Sequence, residues 1–338
     1  GVFGAPSNPP VPRGAGGRAP RAPPPPRARP APGGGAPAAV IDVGGRLLIA
    51  KADPVTFATD RIGWYAVQVN ANDVACMGGT PRWFLATVLL PEGAPESLAV
   101  SVHEQITAAC DALGVTLVGG HTEVTYGLTR PIVSGQMLGE ATRDTVVWPG
   151  GARPGDALIL TQGIAIEGTS VLAHEAADAL LAAGMTQAEV SAAASLLDAP
   201  GISVVRAAHA AAKAGVTAMH DPTEGGLATG LAELASAANA GLEVDGDAVS
   251  VLPETSAVCR ALDLDPLGLL ASGSLLAAAV PERAEAVLAA LAAEGIPAAI
   301  IGRVTEASAG LRLRTPDGLC DLPGYPRDEL ARYLSRAS

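Results

Sequence analysis

The stretch Trp148-Pro149-Gly150-Gly151-Ala152-Arg153-Pro154-Gly155-Asp156 constrains the fold of this chain more than any other. Its two prolines withhold backbone donors and its three glycines favour turns, so these nine residues continue neither a helix nor a strand. Strand-like runs alternate with helical segments on both sides of it, which makes it the best boundary between two units. Before it, Ala38 to Val43 and Arg46 to Ala50 read as a hairpin around Gly44-Gly45. A helix from about Gly63 to Met77 follows, then strand Trp83 to Leu90, a helix from about Ser97 to Leu113, and strands Val115 to Val118 and Ile132 to Leu138. After it come strand Ala157 to Thr161 and helices near Gly168 to Leu181, Ile202 to Ala214 and Gly226 to Ala238. Strand Leu275 to Val280, helix Glu282 to Glu294 and strand Ala298 to Val304 complete the second unit. Strands interleaved with helices, with hairpins among them, predict an α+β fold, with the helices of the first unit on one face of its sheet. The expected units are 38–148 and 155–310, followed by a tail over 311–338.

With 49% hydrophobic residues in 338, the chain can build a substantial core. A net charge of −12 disfavours nucleic acid or an anionic membrane as the main partner, and 3% aromatics leave little for stacking on bases. Residues 1–37 hold five arginines and no Asp, Glu or Lys among many prolines and glycines, and are expected to be disordered. Without them, 17 basic residues face 34 acidic ones. The four cysteines, Cys76, Cys110, Cys259 and Cys320, form no C-x-x-C pair, which points to a reducing, cytoplasmic setting. The most apolar runs, such as Leu269 to Val280, are too short to span a bilayer.

Three polar clusters carry the functional signal. Asn70-Ala71-Asn72-Asp73-Val74-Ala75-Cys76-Met77-Gly78-Gly79 puts amides and a carboxylate at a helix end. It reads either as a polar face with a glycine C-cap or as an Mg²⁺ site. Gly119-Gly120-His121-Thr122-Glu123 follows the apolar Leu117-Val118, so His121 and Glu123 are expected to emerge at a strand end, as ligand contacts or as ordinary turn residues. Asp221-Pro222-Thr223-Glu224-Gly225-Gly226 opens a helix, where capping and an anion cradle use the same geometry. Asp53, before Pro54, and Asp42 have turn or strand-end readings as well. Gly163 to Thr169 resembles a phosphate loop only loosely, and Ser272, Gly273 and Ser274 are weak candidates for a substrate contact.

In this order, the motifs around Asp53, Asp73, Gly119 and Asp221 resemble the aminoimidazole ribonucleotide (AIR) synthetase-like superfamily. That group also holds thiamine-monophosphate kinase, selenophosphate synthetase and the hydrogenase-maturation protein HypE. The resemblance covers about residues 38 to 310 and is strongest to HypE and its unassigned relatives, through Ile166-Glu167-Gly168-Thr169 and Asp221 to Ala228. It implies a two-domain fold whose N-terminal sheets join into a barrel across a homodimer, with ATP and Mg²⁺ near the subunit boundary. The implied activity is ATP-dependent phosphorylation of an amide- or carbonyl-like oxygen of a small substrate. The implied metal ligands are Asp53 and Asp73, with Asp42 close by, and the implied catalytic residues are Asp73, His121 and Asp221. Asn70, Asn72, Gly78, Gly119, Gly120, Thr122, Glu123, Thr223, Gly225 and Gly226 are the implied cofactor-binding positions.

Two departures temper this. The sequence ends in Ala337-Ser338 where HypE carries a reactive terminal cysteine, and Cys320, in Gly318 to Leu322, reads as a buried strand residue. Gly35-Ala36-Pro37-Ala38 also stands where relatives carry Gly-(acid)-Asp-Ala, so residues 1–37 are expected to be an out-of-frame or misassigned reading joined to the true frame near Ala38. The alternatives are therefore a HypE-like maturation factor working with a partner protein and a non-catalytic nucleotide-binding scaffold.

Overall fold

The computed structural model describes residues 28–29, 37–56 and 59–337. The expected disorder of residues 1–37 and the altered Gly-Ala-Pro sequence lie largely outside them. Within that tract, Ala28–Arg29 (β1) pairs with Val40 and Ile41 of Ala39–Asp42 (β2). The first unit continues with Leu47–Val55 (β3), helix Ile62–Cys76 (α1), Thr80–Pro91 (β4), helix Glu96–Leu113 (α2), Thr116–Thr125 (β5) and Ile132–Ala141 (β6). Its six strands form one sheet in the order β1-β2-β3-β6-β4-β5.

Strict alternation along β6 and most of β4 buries Val133, Met137, Phe84, Ala86 and Val88. α1 packs on that face over β3, β4 and β6, with α2 beside it. Among the described residues no helix lies on the opposite face. α1 is buried nearly all round, because its outer side packs against the second unit. Gly78, in the left-handed region just beyond it, stops the helix where a Cβ would meet the Thr145 carbonyl oxygen at 2.1 Å.

The second unit runs through Ala157–Thr161 (β7), helices Ile166–Glu175 (α3), Ala177–Ala182 (α4), Gln187–Ala194 (α5) and Val205–Ala214 (α6), then Ala218–His220 (β8). Helix Gly226–Ala238 (α7), Gly241–Asp245 (β9), helix Pro253–Leu262 (α8), Leu276–Ala279 (β10), helix Pro281–Ala293 (α9) and Ala298–Thr305 (β11) follow. Leu311–Thr315 (β12), Gly318–Asp321 (β13) and helix Glu329–Ala337 (α10) close the chain. Its seven-stranded sheet has the order β13-β12-β9-β11-β7-β10-β8, so residues 311–321 are strands of this sheet. The single helix expected over 168–181 is two helices that meet at Ala176. Helices cover both faces of this sheet, whereas the first sheet has its helices on one face as expected: α9 lies on one side and α7 on the other.

α1 packs on α6 and α6 on α9, so one continuous core joins the two units. Asn72 stitches that joint. Its side chain donates to the Ile202 carbonyl at 2.8 Å and accepts the Val204 N–H at 2.9 Å. Cys320 is in a strand as expected, but it is exposed at the sheet edge, with its thiol 3.4 Å from the Leu313 carbonyl. Among the described residues no helix is long and apolar enough to cross a membrane.

Candidate active site

Lys51 and Asp53 alternate along β3 on the face that meets α1, and two buried turns of α1 bring Asp73 to the same point. The Lys51 ammonium lies 2.8 Å from the Asp73 carboxylate and 3.6 Å from that of Asp53. Asp221, just beyond β8, is buried against the same helix, where the Cys76 thiol hydrogen-bonds to it. Three carboxylates therefore face one ammonium. Burial opposes the charge on Lys51, yet Asp73, then Asp53 and Asp221, outweigh it and raise its pKa. Burial, followed by the like charge of Asp221, pushes the Asp73 carboxyl well above the usual carboxylate range, and Lys51 offsets this only in part. Burial raises Asp221 too, against the pull of His220, its own backbone amide, Lys51 and Cys76.

This pocket fits a divalent cation. It gathers the hard oxygen donors of Asp53, Asp73 and Asp221 within reach of one another. Beside it, the fully buried Asn70 donates to the carbonyls of Ala66 (2.8 Å) and Asp53 (3.3 Å), while its own oxygen has no partner. Among the described residues no three His, Cys, Asp or Glu side chains form a metal cage. The fit is thus to Mg²⁺ shared between one or two carboxylates and the phosphates of a ligand.

The other expected residues fall in different places. Asp42 is a correction: it lies at the far end of the hairpin, six residues along β3 from Asp53, or roughly 20 Å at strand rise. There it accepts the N–H groups of Gly44 and Gly45 at 3.2 Å and pairs with Arg143, which is the work of a turn residue. Gly78 lies beyond α1 and lines a cavity of about 710 Å³ with Arg46, Glu140 and Lys213. Gly119 to Glu123 is not at a strand end but in the middle of the edge strand β5. Gly120 is needed there because a Cβ would come 2.1 Å from the Ala86 carbonyl oxygen. His121 and Glu123 sit in the register rows of Thr87 and Leu89, on the helix-free face of the sheet. Exposed and 3.2 Å apart, they pair with each other and not with Asp73. Thr122 shares the row of the buried Val88, on the opposite face.

In the second unit, the Thr223 carbonyl accepts the N–H groups of Gly226 and Ala271, both at 3.1 Å, tying two loops together. Gly225 and Gly226 both have positive φ, and side chains there would strike Thr229 and the Leu267 carbonyl. Ser274 is buried and donates to the Gly163 carbonyl at 2.7 Å, a structural use. Glu167, 1% exposed at the start of α3, was not among the expected site residues. Burial pushes its carboxyl up to about 7, with the Ser272 hydroxyl pulling the other way. Lys51 was also missed. Its signal was its i, i+2 spacing to Asp53 in a strand, which places both on one face.

The chain is similar to known proteins over most of its length. Residues 35–141 match the model of the AIR synthase related protein N-terminal domain, and residues 153–313 match that of its C-terminal domain. The carbamoyl dehydratase HypE of Rhizobium leguminosarum bv. viciae is 33% identical over 278 residues, covering 77% of this chain and 74% of the relative. The protein of the same name from Rhodobacter capsulatus is 31% identical over 290 residues, covering 83% and 82%. A crystal structure of the hydrogenase maturation protein HypE in complex with ATP superposes with a TM-score of 0.72 at 27% identity, covering 84% of this chain and 86% of that one. Two matched domain models in tandem and relatives above 30% identity along most of their length place the chain in the AIR synthase related family, close to HypE.

Proposed function

We propose that this protein is an ATP- and Mg²⁺-dependent enzyme that phosphorylates an amide- or carbonyl-like oxygen of a small substrate, turning that oxygen into a leaving group. The observation that carries the reading is the pocket in which the carboxyl groups of Asp53, Asp73 and Asp221 gather around Lys51. Asp53 and Asp73 are the residues to hold Mg²⁺, which when bound would draw charge from the phosphates of ATP. Lys51 then exchanges its carboxylate partners for a phosphate oxygen, so that positioning and charge neutralisation do most of the work. Asp221 and the loop from Thr223 to Gly226 stand on the substrate side of the same helix. The ATP-bound HypE neighbour supports the nucleotide.

His121 and Glu123 reach a nucleotide in this reading only from a second copy of the chain. The helix-free face of the first sheet, with half-buried Leu85, Leu89, Ile132 and Leu138, supports a homodimer. So does the edge strand β5, where Val118 and Val124 are 50% and 59% exposed. A second reading, carbamoyl dehydration in hydrogenase maturation together with a partner protein, rests on the names of the relatives.

The test is isotopic. Carboxamide, carbamoyl and formyl metabolites labelled with ¹⁸O in the carbonyl are incubated with the protein and Mg-ATP. The proposal expects ADP formation with label passing into phosphate. If ATP binds but no ADP forms with any acceptor, the protein is a nucleotide-binding scaffold; ADP with unlabelled phosphate rules out carbonyl phosphorylation.

A further inference from the structure

Asp221 comes from the second unit, just beyond β8, yet the side chain that holds it belongs to the first. Cys76 is the last residue of α1, three beyond Asp73 and one turn further along the same side of the helix. It is 1% exposed where α1 packs on β8, and its thiol donates to the Asp221 carboxylate, which is itself 4% exposed. The other donor that reaches this carboxylate is Asp221's own backbone N–H. A carboxylate buried so deeply needs donors, because a buried charge without them is costly. Burial, then the charges of Asp221 and Asp73, push the Cys76 thiol well above its usual range, so it keeps its proton and can only donate.

Packing alone does not call for sulfur at this position, since Ala71 and Ala75 of the same helix are fully buried as well. A thiol packs as a small apolar group and still donates, which suits a carboxylate at the edge of the core. None of the other three cysteines has this arrangement. Cys110 and Cys259 are buried without a carboxylate to donate to, and Cys320 donates to the Leu313 carbonyl. The charge of Asp221 also opposes that of Asp73. Left to that repulsion, the Asp221 carboxylate turns away from the site.

We infer that Cys76 is a positioning residue for the proposed reaction: its S–H, reaching across the joint between the units, holds the Asp221 carboxylate beside Asp73 and Lys51, where it faces the substrate. The chemistry rests on the proposed function, whereas the hydrogen bond does not.

The experiment uses the full chain with Cys76→Ala and Cys76→Ser, which lose the sulfur alike while only Ser keeps a donor. Infrared spectra read the hydrogen bond without any turnover. The S–H stretching band that disappears in C76A belongs to Cys76. It is expected at lower frequency than the bands of Cys110 and Cys259, and to move up in Asp221→Asn, where a neutral oxygen replaces a charged one. Turnover reads the consequence, with the ¹⁸O-labelled acceptor that passes label to phosphate in the wild type. C76A is expected to form ADP about tenfold more slowly at an unchanged KM for ATP, since a misplaced group costs rate and not nucleotide binding. C76S is expected to restore most of that rate, although both substitutions lower Tm by similar amounts. A Cys76 band that coincides with those of Cys110 and Cys259, or that Asp221→Asn leaves in place, overturns the inference. So does a C76A rate equal to wild type, or a C76S rate as low as that of C76A. If no acceptor gives ADP with the wild type, the proposed function fails, and the infrared shift alone decides whether the thiol holds Asp221.

Discussion

Replacing Lys51 by Met removes the only cation that contacts Asp73 among the described residues, and the consequence can be worked out. At 2.8 Å the Lys51–Asp73 attraction is roughly 6 kcal/mol at an effective dielectric constant of about 20, before the cost of desolvation is counted. Their side chains are 19% and 13% exposed, so screening by water is limited. Removing one partner of such a pair costs about 3–5 kcal/mol. The lower end, ~3 kcal/mol, is expected, because Asp73 already lies above the usual carboxylate range and escapes by taking up a proton. A carboxyl raised in the folded state holds its proton more tightly there than in the unfolded chain. Stability therefore falls as pH climbs from the unfolded value through the folded one. The K51M penalty is thus expected to be near its full size at pH 8 and smaller at pH 5. At about 2.1 cal/mol/K per residue, ~3 kcal/mol corresponds to a Tm roughly 4 °C lower at pH 8. Calorimetry of wild type and K51M across pH provides the assay. A penalty that grows toward acid pH, or none at pH 8, refutes the charge balance assigned to this pocket.

Other outcomes follow from the same structure. Asn72→Leu strands the Ile202 carbonyl and the Val204 N–H in the joint between the units and is expected to cost about 2–4 kcal/mol in urea unfolding. Glu167, raised to about 7 from 4.5, makes wild-type stability fall as pH rises from about 4.5 past 7, by about 3 kcal/mol in all. Glu167→Gln is expected to flatten that slope and to be the more stable protein at pH 8, as read by denaturant midpoints. Gly226→Ala drives a methyl to 2.4 Å from the Leu267 carbonyl in a left-handed conformation, so a loss of about 2 kcal/mol or more is expected in thermal unfolding. Changing Ala36-Pro37 to Glu-Asp supplies hard oxygen ligands and is expected to tighten Mg-ATP binding in a calorimetric titration.

The sequence carried the local information well. α1 was expected over 63–77 and spans 62–76, and the first hairpin forms around Gly44-Gly45, its second strand running five residues past the expected end at Ala50 and taking in Asp53. The glycine pair before α7 was legible because positive φ is something glycine alone supplies cheaply. What failed depended on distant partners. Gly119-Gly120 reads locally as the end of a strand, yet Gly120 serves a close approach of β5 to the Ala86 carbonyl, which no local rule reveals. Asn72 is a nucleotide contact by resemblance alone, and no local rule reveals that its side chain bonds backbone groups 130 and 132 residues away. His121 was grouped with Asp73 by motif order, and only the strand register shows that they occupy opposite faces. Lys51 belongs to no motif; a strand row gives it its place.

The most direct test of the central claim is a titration of the protein with Mn²⁺ in place of Mg²⁺, followed by paramagnetic resonance with and without ATP. The account predicts weak binding of the metal alone, strong binding once ATP is present, and at least a tenfold loss in both Asp53→Asn and Asp73→Asn, about 1.4 kcal/mol or more. Nucleotide-supported Mn²⁺ binding that survives both substitutions unchanged would place the metal elsewhere and contradict the assignment of this pocket.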